Sequence, residues 1–237
     1  MSEEVLMCWS GGKDSAMALN ALRSTPEVHV AALLTTVTDE YDRISMHGVR
    51  RTLLERQAES LGLPLHIVRI PPHCVNAVYE SRMNDALRES LGHGVRRVAF
   101  GDIFLEDLRA YRERKLAPAG MQAMFPIWKR DTRELTREFL RQGYRAIAVC
   151  VDPRVLDPSF AGRELDESFF ADLPANADPC GENGEFHTFV FDGPGFQRPV
   201  ECRAGEKVLR DGFWFSDLLP RSGPQVGGAR GTEIPPG

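Results

Sequence analysis

Apolar positions fall into two alternating kinds of block along the first half of the chain. One kind is short, continuous and often β-branched: residues 5–9 (VLMCW), 28–37 (VHVAALLTTV), 64–71 (PLHIVRIP) and 97–103 (RVAFGDI). Runs of this kind read as strands buried on both faces. The other kind repeats its apolar residues at helical spacing. Ala16, Leu19 and Leu22 share one face, and Val49, Leu53, Leu54, Ala58 and Leu61 share another, with Gly62 as a stop. The second of these patterns predicts a helix over 47–61, and residues 75–91 predict a third helix ended by Gly92 and Gly94. Strands alternating with helices of this length predict an α/β fold with a parallel sheet and right-handed crossovers. Ligands of such sheets bind beyond the carboxyl ends of the strands. The turn after residue 9, the polar segment 38–43 and Gly101-Asp102 all fall on that edge.

The pattern changes near residue 105. Residues 105–116 are charged and helical, and Ala117-Pro118-Ala119-Gly120 breaks them. A short apolar piece, 125–128 (FPIW), precedes a helix over 131–142. Asp131 and Glu134 make a capping box at its start. Residues 144–151 read as a buried strand, and Pro153, Pro158 and Gly162 interrupt residues 152–171. Strands are expected over 186–192 and 200–210, joined through Gly193-Pro194-Gly195. The expected division is therefore a nucleotide-sized α/β domain over 1–104 and a smaller α+β carboxyl-terminal domain over 105–220. Residues 221–237, rich in Gly and Pro, are expected to be disordered.

Between the first strand and the first helix stands Ser10-Gly11-Gly12-Lys13-Asp14-Ser15. Two glycines open backbone angles closed to other residues and leave no side chain in the way of an anion. The first amides of the helix point at the same place, and its dipole favours negative charge there. Ser10 and Ser15 add hydroxyls and Lys13 adds a cation. The bland alternative is a turn with a capped helix, Asp14 or Ser15 serving as the cap. The Walker spacing is missing. The stretch resembles the pyrophosphatase loop (PP-loop) of the adenine-nucleotide alpha-hydrolase superfamily, whose members cut ATP between the alpha and beta phosphates.

Composition narrows the partners. Net charge is −5 and the isoelectric point about 5.7. That balance argues against a broad nucleic-acid or acidic-membrane surface. The only lysines are Lys13, Lys115, Lys129 and Lys207, so a lysine inside the loop stands out. The five cysteines are scattered and form no Cys-x-x-Cys, which suggests neither a zinc cage nor a redox pair. Met1-Ser2-Glu3-Glu4 is acidic and the apolar run behind it is short, so no secretory signal is expected. No apolar run approaches the roughly 20 residues of a membrane span. The expected compartment is the cytoplasm.

A second dense cluster is Cys180-Gly181-Glu182-Asn183-Gly184-Glu185-Phe186-His187-Thr188. By itself it reads equally well as a polar β-turn or as a site for acid–base work. Together, the first motif and Gly181–Thr188 resemble the diphthine-ammonia ligase family of PP-loop proteins. Gly101-Asp102-Ile103 with Arg109 and Arg112, and Pro126-Ile127-Trp128, also fit that family's pattern. The first motif marks only the superfamily, and the second points to the family. The match spans roughly residues 4–218.

The resemblance implies a Rossmann-like HUP domain with a smaller carboxyl-terminal domain carrying the second motif. It implies a carboxylate attacking ATP to give an acyl-adenylate and pyrophosphate, with ammonia then displacing AMP to leave an amide. In the family's namesake the carboxylate belongs to diphthine, a modified histidine on translation elongation factor two. ATP and Mg²⁺ are the implied small-molecule partners.

Ser10, Gly11, Gly12, Lys13 and Ser15 would hold the phosphates, where charge builds on the leaving group. Asp14 would hold magnesium or cap the helix. The backbone at Leu34, Thr35 and Thr36 would meet the adenine. Gly101 and Asp102 fall at the ligand edge. His47 would lie near the nucleotide or simply start its helix. Arg109 and Arg112 would hold phosphate or substrate carboxylate, or form a solvated helix face. Glu182, Asn183, Glu185, His187 and Thr188 would position acceptor and ammonia, one carboxylate deprotonating ammonium. Ser2 stands where an amino-terminal glutaminase would need cysteine, so free ammonium is the expected nitrogen donor. Two rival readings are a PP-loop RNA-modifying enzyme, with Cys8 and Cys180 as sulfur carriers, and a non-catalytic ATP-binding sensor. The sequence is compatible with a homo-oligomer.

Overall fold

The computed structural model describes residues 2–44 and 47–221. The central strand of the first sheet is β1 (Glu3–Cys8). It lies parallel between β2 (Val28–Thr38) and β5 (Arg97–Ala99). Outside them run β4 (Leu65–Ile70), parallel to β2, and β6 (Gln122–Met124), parallel to β5. A two-residue strand, β3 (Arg43–Ile44), turns back antiparallel on the end of β2. The chain therefore leaves β1 toward β2 and β4, then returns to the other side of β1 for β5. That reversal opens a crevice at the carboxyl ends of β1 and β5.

The continuous apolar runs are explained by layers on both faces of this sheet. Val5 and Met7 of β1 point into a core with α1 (Lys13–Arg23) and α2 (Arg51–Leu61). Leu6 points the other way, into a core with α3 (Asn76–Gly92) and α4 (Glu106–Leu116). Gly62 adopts a left-handed φ of 66° and ends α2 as its position predicts.

The second sheet is antiparallel. Its strands are β7 (Arg145–Val151), β8 (Phe186–Asp192), β9 (Cys202–Arg210) and β10 (Phe213–Pro220). They pair in the order β8-β7-β10-β9. Two helices precede β8 in this half: α5 (Thr132–Arg141) and the single-turn α6 (Glu167–Ala171). The core of α1 and α2 runs on without a break into Ala146, Ala148, Phe189 and Val190 of this sheet. The two sheets thus share one apolar interior, consistent with the α/β and α+β pairing expected.

Some boundaries differ from the sequence pattern. Helix α2 begins at Arg51 rather than His47, because Gly48 sits at a left-handed φ of 68°. Strand β5 ends at Ala99, which leaves residues 100–103 as irregular chain along the crevice. Strands β3, β6 and β10 carry no run long enough to announce them, or follow one too closely. The turn into β10 was nonetheless written in Asp211-Gly212, both at positive φ, a dipeptide suited to a tight hairpin. The first sheet continues past residue 104 to Met124. The tail expected to be disordered lies, from residue 222 on, outside the described residues. Among the described residues no helix is long and apolar enough to cross a membrane.

Half of the expected capping box is present: Asp131 Oδ1 accepts the Glu134 amide at 2.9 Å, while the Glu134 side chain pairs with Arg137. Replacing Asp131 with Ala should lower the stability of the protein by about 1 kcal/mol, read from the midpoint of chemical denaturation.

Candidate active site

The turn after β1 is shaped by what approaches it. Gly11 has a left-handed φ of 78°, and a Cβ there would stand 2.8 Å from the Gln57 side-chain oxygen. A Cβ on Gly12 would meet the Thr188 carbonyl at 3.1 Å and the His47 ring at 3.2 Å. A Cβ on Gly101 would lie 2.9 Å from backbone atoms of Asp14 and Ser15. Gly12 is the N-cap of α1 and brings no side chain to its first amides. One of those amides, that of Lys13, donates instead to Thr188 Oγ1 at 2.9 Å. Ser15 Oγ donates to the Gly12 carbonyl at 2.8 Å and lies 3.2 Å from Ser10 Oγ.

Lys13 is almost wholly buried. Its ammonium donates to the Cys180 carbonyl and to Asp14 Oδ1, the latter at 2.6 Å, and lies 5.6 Å from the Phe186 ring centre. Burial alone would pull its pKa down, but the charge of Asp14 and its acidic neighbours outweighs burial and holds it above the ordinary value. The lysine therefore stays charged and reaches beneath the second motif rather than lining the cleft.

Gln57, absent from the sequence expectations, is fully buried in α2. Its amide donates to the Gly11 carbonyl at 3.0 Å and the Val190 carbonyl at 2.6 Å, and its oxygen accepts from the Trp9 indole at 3.0 Å. A signal did exist: a glutamine sits on the same helix face as Leu53, Leu54, Ala58 and Leu61. A polar residue at a core position needs buried partners.

The second motif folds into a loop with its two carboxylates turned to different tasks. Glu185 is buried and accepts from the Asp178 amide at 2.9 Å and from the Asn183 amide and side chain at 3.0 Å each. Glu185 and Asn183 thus tie the loop and do not line the cleft. Glu182 does line it, with Oε1 accepting the amides of Ile103 at 2.7 Å and Phe104 at 3.3 Å. Burial, with Asp14 and Asp102 nearby, pushes its pKa up to about 7 despite those amides. His187 and His47 stand with ring centres 4.7 Å apart, and His47 Nδ1 donates to the Thr188 carbonyl at 3.2 Å. Burial and the cations around them lower His47 to about 3 and His187 to about 4, so both are neutral imidazoles near pH 7.

These groups border one cleft of about 540 Å³. Ser10, Gly12, Asp14 and Ser15 of the first motif line it together with Glu182, His187 and Thr188 of the second. Leu34, Thr35 and Thr36 close one end, although the Thr35 hydroxyl is taken by the Trp9 carbonyl at 2.6 Å. Gly101, Asp102 and Arg112 close another side. Arg112 holds Asp102 through two bonds of 2.5 and 3.1 Å, with its guanidinium 4.3 Å from the Phe100 ring centre. Arg109 stays outside the cleft: it pairs with Glu113 at 2.8 Å and stacks over Phe125 and Trp128. Tyr79 and Met83 of α3 also reach the cleft, with no sequence signal beyond an ordinary helix face.

Residues 3–123 match the family model described as the diphthamide synthase N-terminal domain, and residues 131–218 match the diphthamide synthase C-terminal domain. The chain belongs to the diphthamide synthase family. Relatives named diphthine–ammonia ligase include one from Danio rerio, 28% identical over 231 residues, covering 88% of this chain and 90% of that protein. The one from Homo sapiens is 24% identical over 232 residues, covering 88% and 86%. The one from Schizosaccharomyces pombe is 25% identical over 225 residues, covering 86% of this chain but 37% of a longer protein. Among solved structures, a U34-tRNA thiolase from Methanococcus maripaludis is similar at 20% identity over 60% of this chain and 57% of that one. Its TM-score of 0.36 is too low to carry an argument.

Replacing Gln57 with Leu should leave the Trp9 indole without its partner and loosen Gly11. The expected loss is about 1–3 kcal/mol of stability, measured by denaturant unfolding, with the Gln57→Glu variant also impaired.

Proposed function

We propose that this protein is an ATP-dependent ligase that joins a carboxylate to ammonia. The observation that carries the reading is the contact of Lys13 and Thr188, 175 residues apart, which brings the phosphate-loop residues and the second motif together at one cleft. A cleft of about 540 Å³ is large enough for a nucleotide. The nucleotide half, expected over residues 1–104, would also take in α4 and β6, because β6 extends the same sheet.

ATP would lie with its phosphates against Ser10, Gly12 and Ser15 and the start of α1, and its adenine toward Leu34–Thr36. The acceptor carboxylate attacks the alpha phosphorus, and the bond to the beta phosphate breaks to release pyrophosphate. The nitrogen of ammonia then attacks the acyl carbon, and AMP leaves. Lys13 is charged but buried, so its part is to fix the loop and add positive potential from below. Glu182, with a pKa near neutrality, is the carboxylate suited to take a proton from ammonium. Neutral His187 orients the nucleophile without competing for that proton. No group of three or more His, Cys, Asp or Glu side chains fit for a metal occurs among the described residues. Asp14, a single carboxylate in the cleft wall, fits a magnesium ion held mainly by substrate phosphates, where it would neutralise their charge.

The names of the relatives make diphthine the first acceptor to try, borne on translation elongation factor two as the resemblance implies. Sulfur transfer is less well supported. Burial raises the Cys8 thiol to about 12 and the Cys180 thiol well above its ordinary value, so neither is a ready thiolate.

Pyrophosphate release from ATP should require a carboxylate acceptor, and its continuation beyond one turnover should require ammonium. Ser15→Ala and His187→Ala should each reduce it by about 10²-fold or more. No release with the diphthine-bearing factor or any of a broad set of carboxylic acids would refute the ligase. The pH profile gives a sharper check. A base must be unprotonated to act, so at saturating ammonium the rate should climb through about pH 7. In Glu182→Gln the rise should move to the alkaline range where ammonium loses its proton unaided.

A further inference from the structure

A second cavity, of about 360 Å³, opens behind the wall of the first. His187 and Ile44 line both. The two cavities therefore share a border that includes one imidazole and one aliphatic side chain. Its far side is built by the turn before α2 and by the β9–β10 hairpin, neither of which has a part in the phosphate loop.

The lining combines flat apolar surface with one uncommitted cation. The Arg210 guanidinium lies 5.8 Å from the Tyr41 ring centre and 5.3 Å from that of Phe215. Stacking of this kind occupies the faces of a guanidinium and leaves its N–H edge free to fork onto a carboxylate. Arg210 pairs with no acid among the described residues; Asp211 lines the cavity without bonding to it. Arg43, the other arginine in the lining, is committed to Asp217 at 2.8 Å and to the Gly48 carbonyl at 2.7 Å. The aromatic wall is pre-formed. Phe215 rests directly on Gly48, where a Cβ would stand 2.8 Å from its ring. Tyr41 is 46% exposed, so part of its ring remains open to a ligand.

The geometry points to this cavity as the acceptor site: a carboxylate on a flat or apolar stem, packed between Tyr41 and Phe215, drawn in by Arg210 and presented past His187 to the nucleotide. The inference rests on the nucleotide occupying the larger cleft. It assigns selectivity to residues 41–44 and the β9–β10 hairpin rather than to the second motif, and makes Arg210 a substrate-binding residue.

Cys74 lines the cavity, partly exposed, and offers a probe that does not depend on turnover. Alkylation of Cys74 by iodoacetamide would be followed by peptide mass, with Cys202, which lines neither cavity, as the control. The probe ligand is 3-phenylpropionate, and its uncharged amide is the comparison. At ten times its dissociation constant the carboxylate should slow Cys74 alkylation about tenfold. The amide should slow it far less, and Arg210→Gln should remove the protection while Arg210→Lys keeps part of it. No protection up to the solubility limit, or equal protection by the amide, or protection that survives Arg210→Gln, overturns the proposal. ATP binding followed in the same samples decides the wider reading by itself. Its absence overturns the ligase, whereas intact ATP binding without carboxylate protection overturns only the acceptor cavity.

Discussion

A buried ammonium organises this molecule. Lys13 is 1% exposed, and a charge taken that far from water is tolerated only with partners close at hand. One partner, Asp14, is its neighbour in sequence. The other, the Cys180 carbonyl, is 167 residues away. The first motif can therefore reach its native arrangement only when the second has folded against it. The same dependence is repeated by the Lys13 amide, which takes its cap from Thr188 because Gly12 has no side chain to offer. Here the cap comes from β8, so the start of α1 and the second motif hold each other in place.

Close backbone approach makes the assembly specific. Gly12 faces Thr188 and His47, Gly101 faces the first turn of α1, and Gly11 faces Gln57. Each of the three contacts joins a different part of the chain to the same turn: the second motif, the irregular chain after β5, and α2. Gln57 then satisfies two carbonyls and an indole at once, in a place where any one left unpaired would be costly. The floor of the cleft is thus rigid before any ligand arrives, as a site that stabilises developing charge must be.

Much of the fold was legible because the first half obeys simple periodicities. Continuous apolar strands such as 28–37 meant cover on both faces, and the core delivers Leu33 to one layer and Leu34 to the other. Strands of two or three residues, like β3 and β6, bury too little to leave a pattern, and their pairing is decided by neighbours rather than by their own residues. The site was legible as two motifs, since Ser10–Ser15 and Cys180–Thr188 pack unusual chemistry into few residues. What each side chain does was not legible. Arg109 and Arg112 lie three apart on one helix, yet Arg109 stacks on Phe125 and Trp128 while Arg112 clamps Asp102 at the cleft. Phe125 and Trp128 sit in a segment whose path no local pattern gives.

The pair of glutamates in the second motif makes the same point in its sharpest form. Glu182 and Glu185 are the same residue, three positions apart, and both sit where backbone amides reach them. Glu185 is enclosed by donors from Asp178 and Asn183 and spends its hydrogen-bonding capacity on holding the loop. Glu182 is held through Oε1 to the chain at Ile103 and Phe104, and faces a cleft that already contains Asp14 and Asp102. Partial burial and two nearby carboxylates raise its pKa to about 7, which is where a proton can be both taken and returned near neutral pH. The amides at Ile103 and Phe104 come from the stretch that leaves β5 early. The short strand, which looked like a defect in the apolar run 97–103, is what frees two donors to hold Glu182 at the cleft.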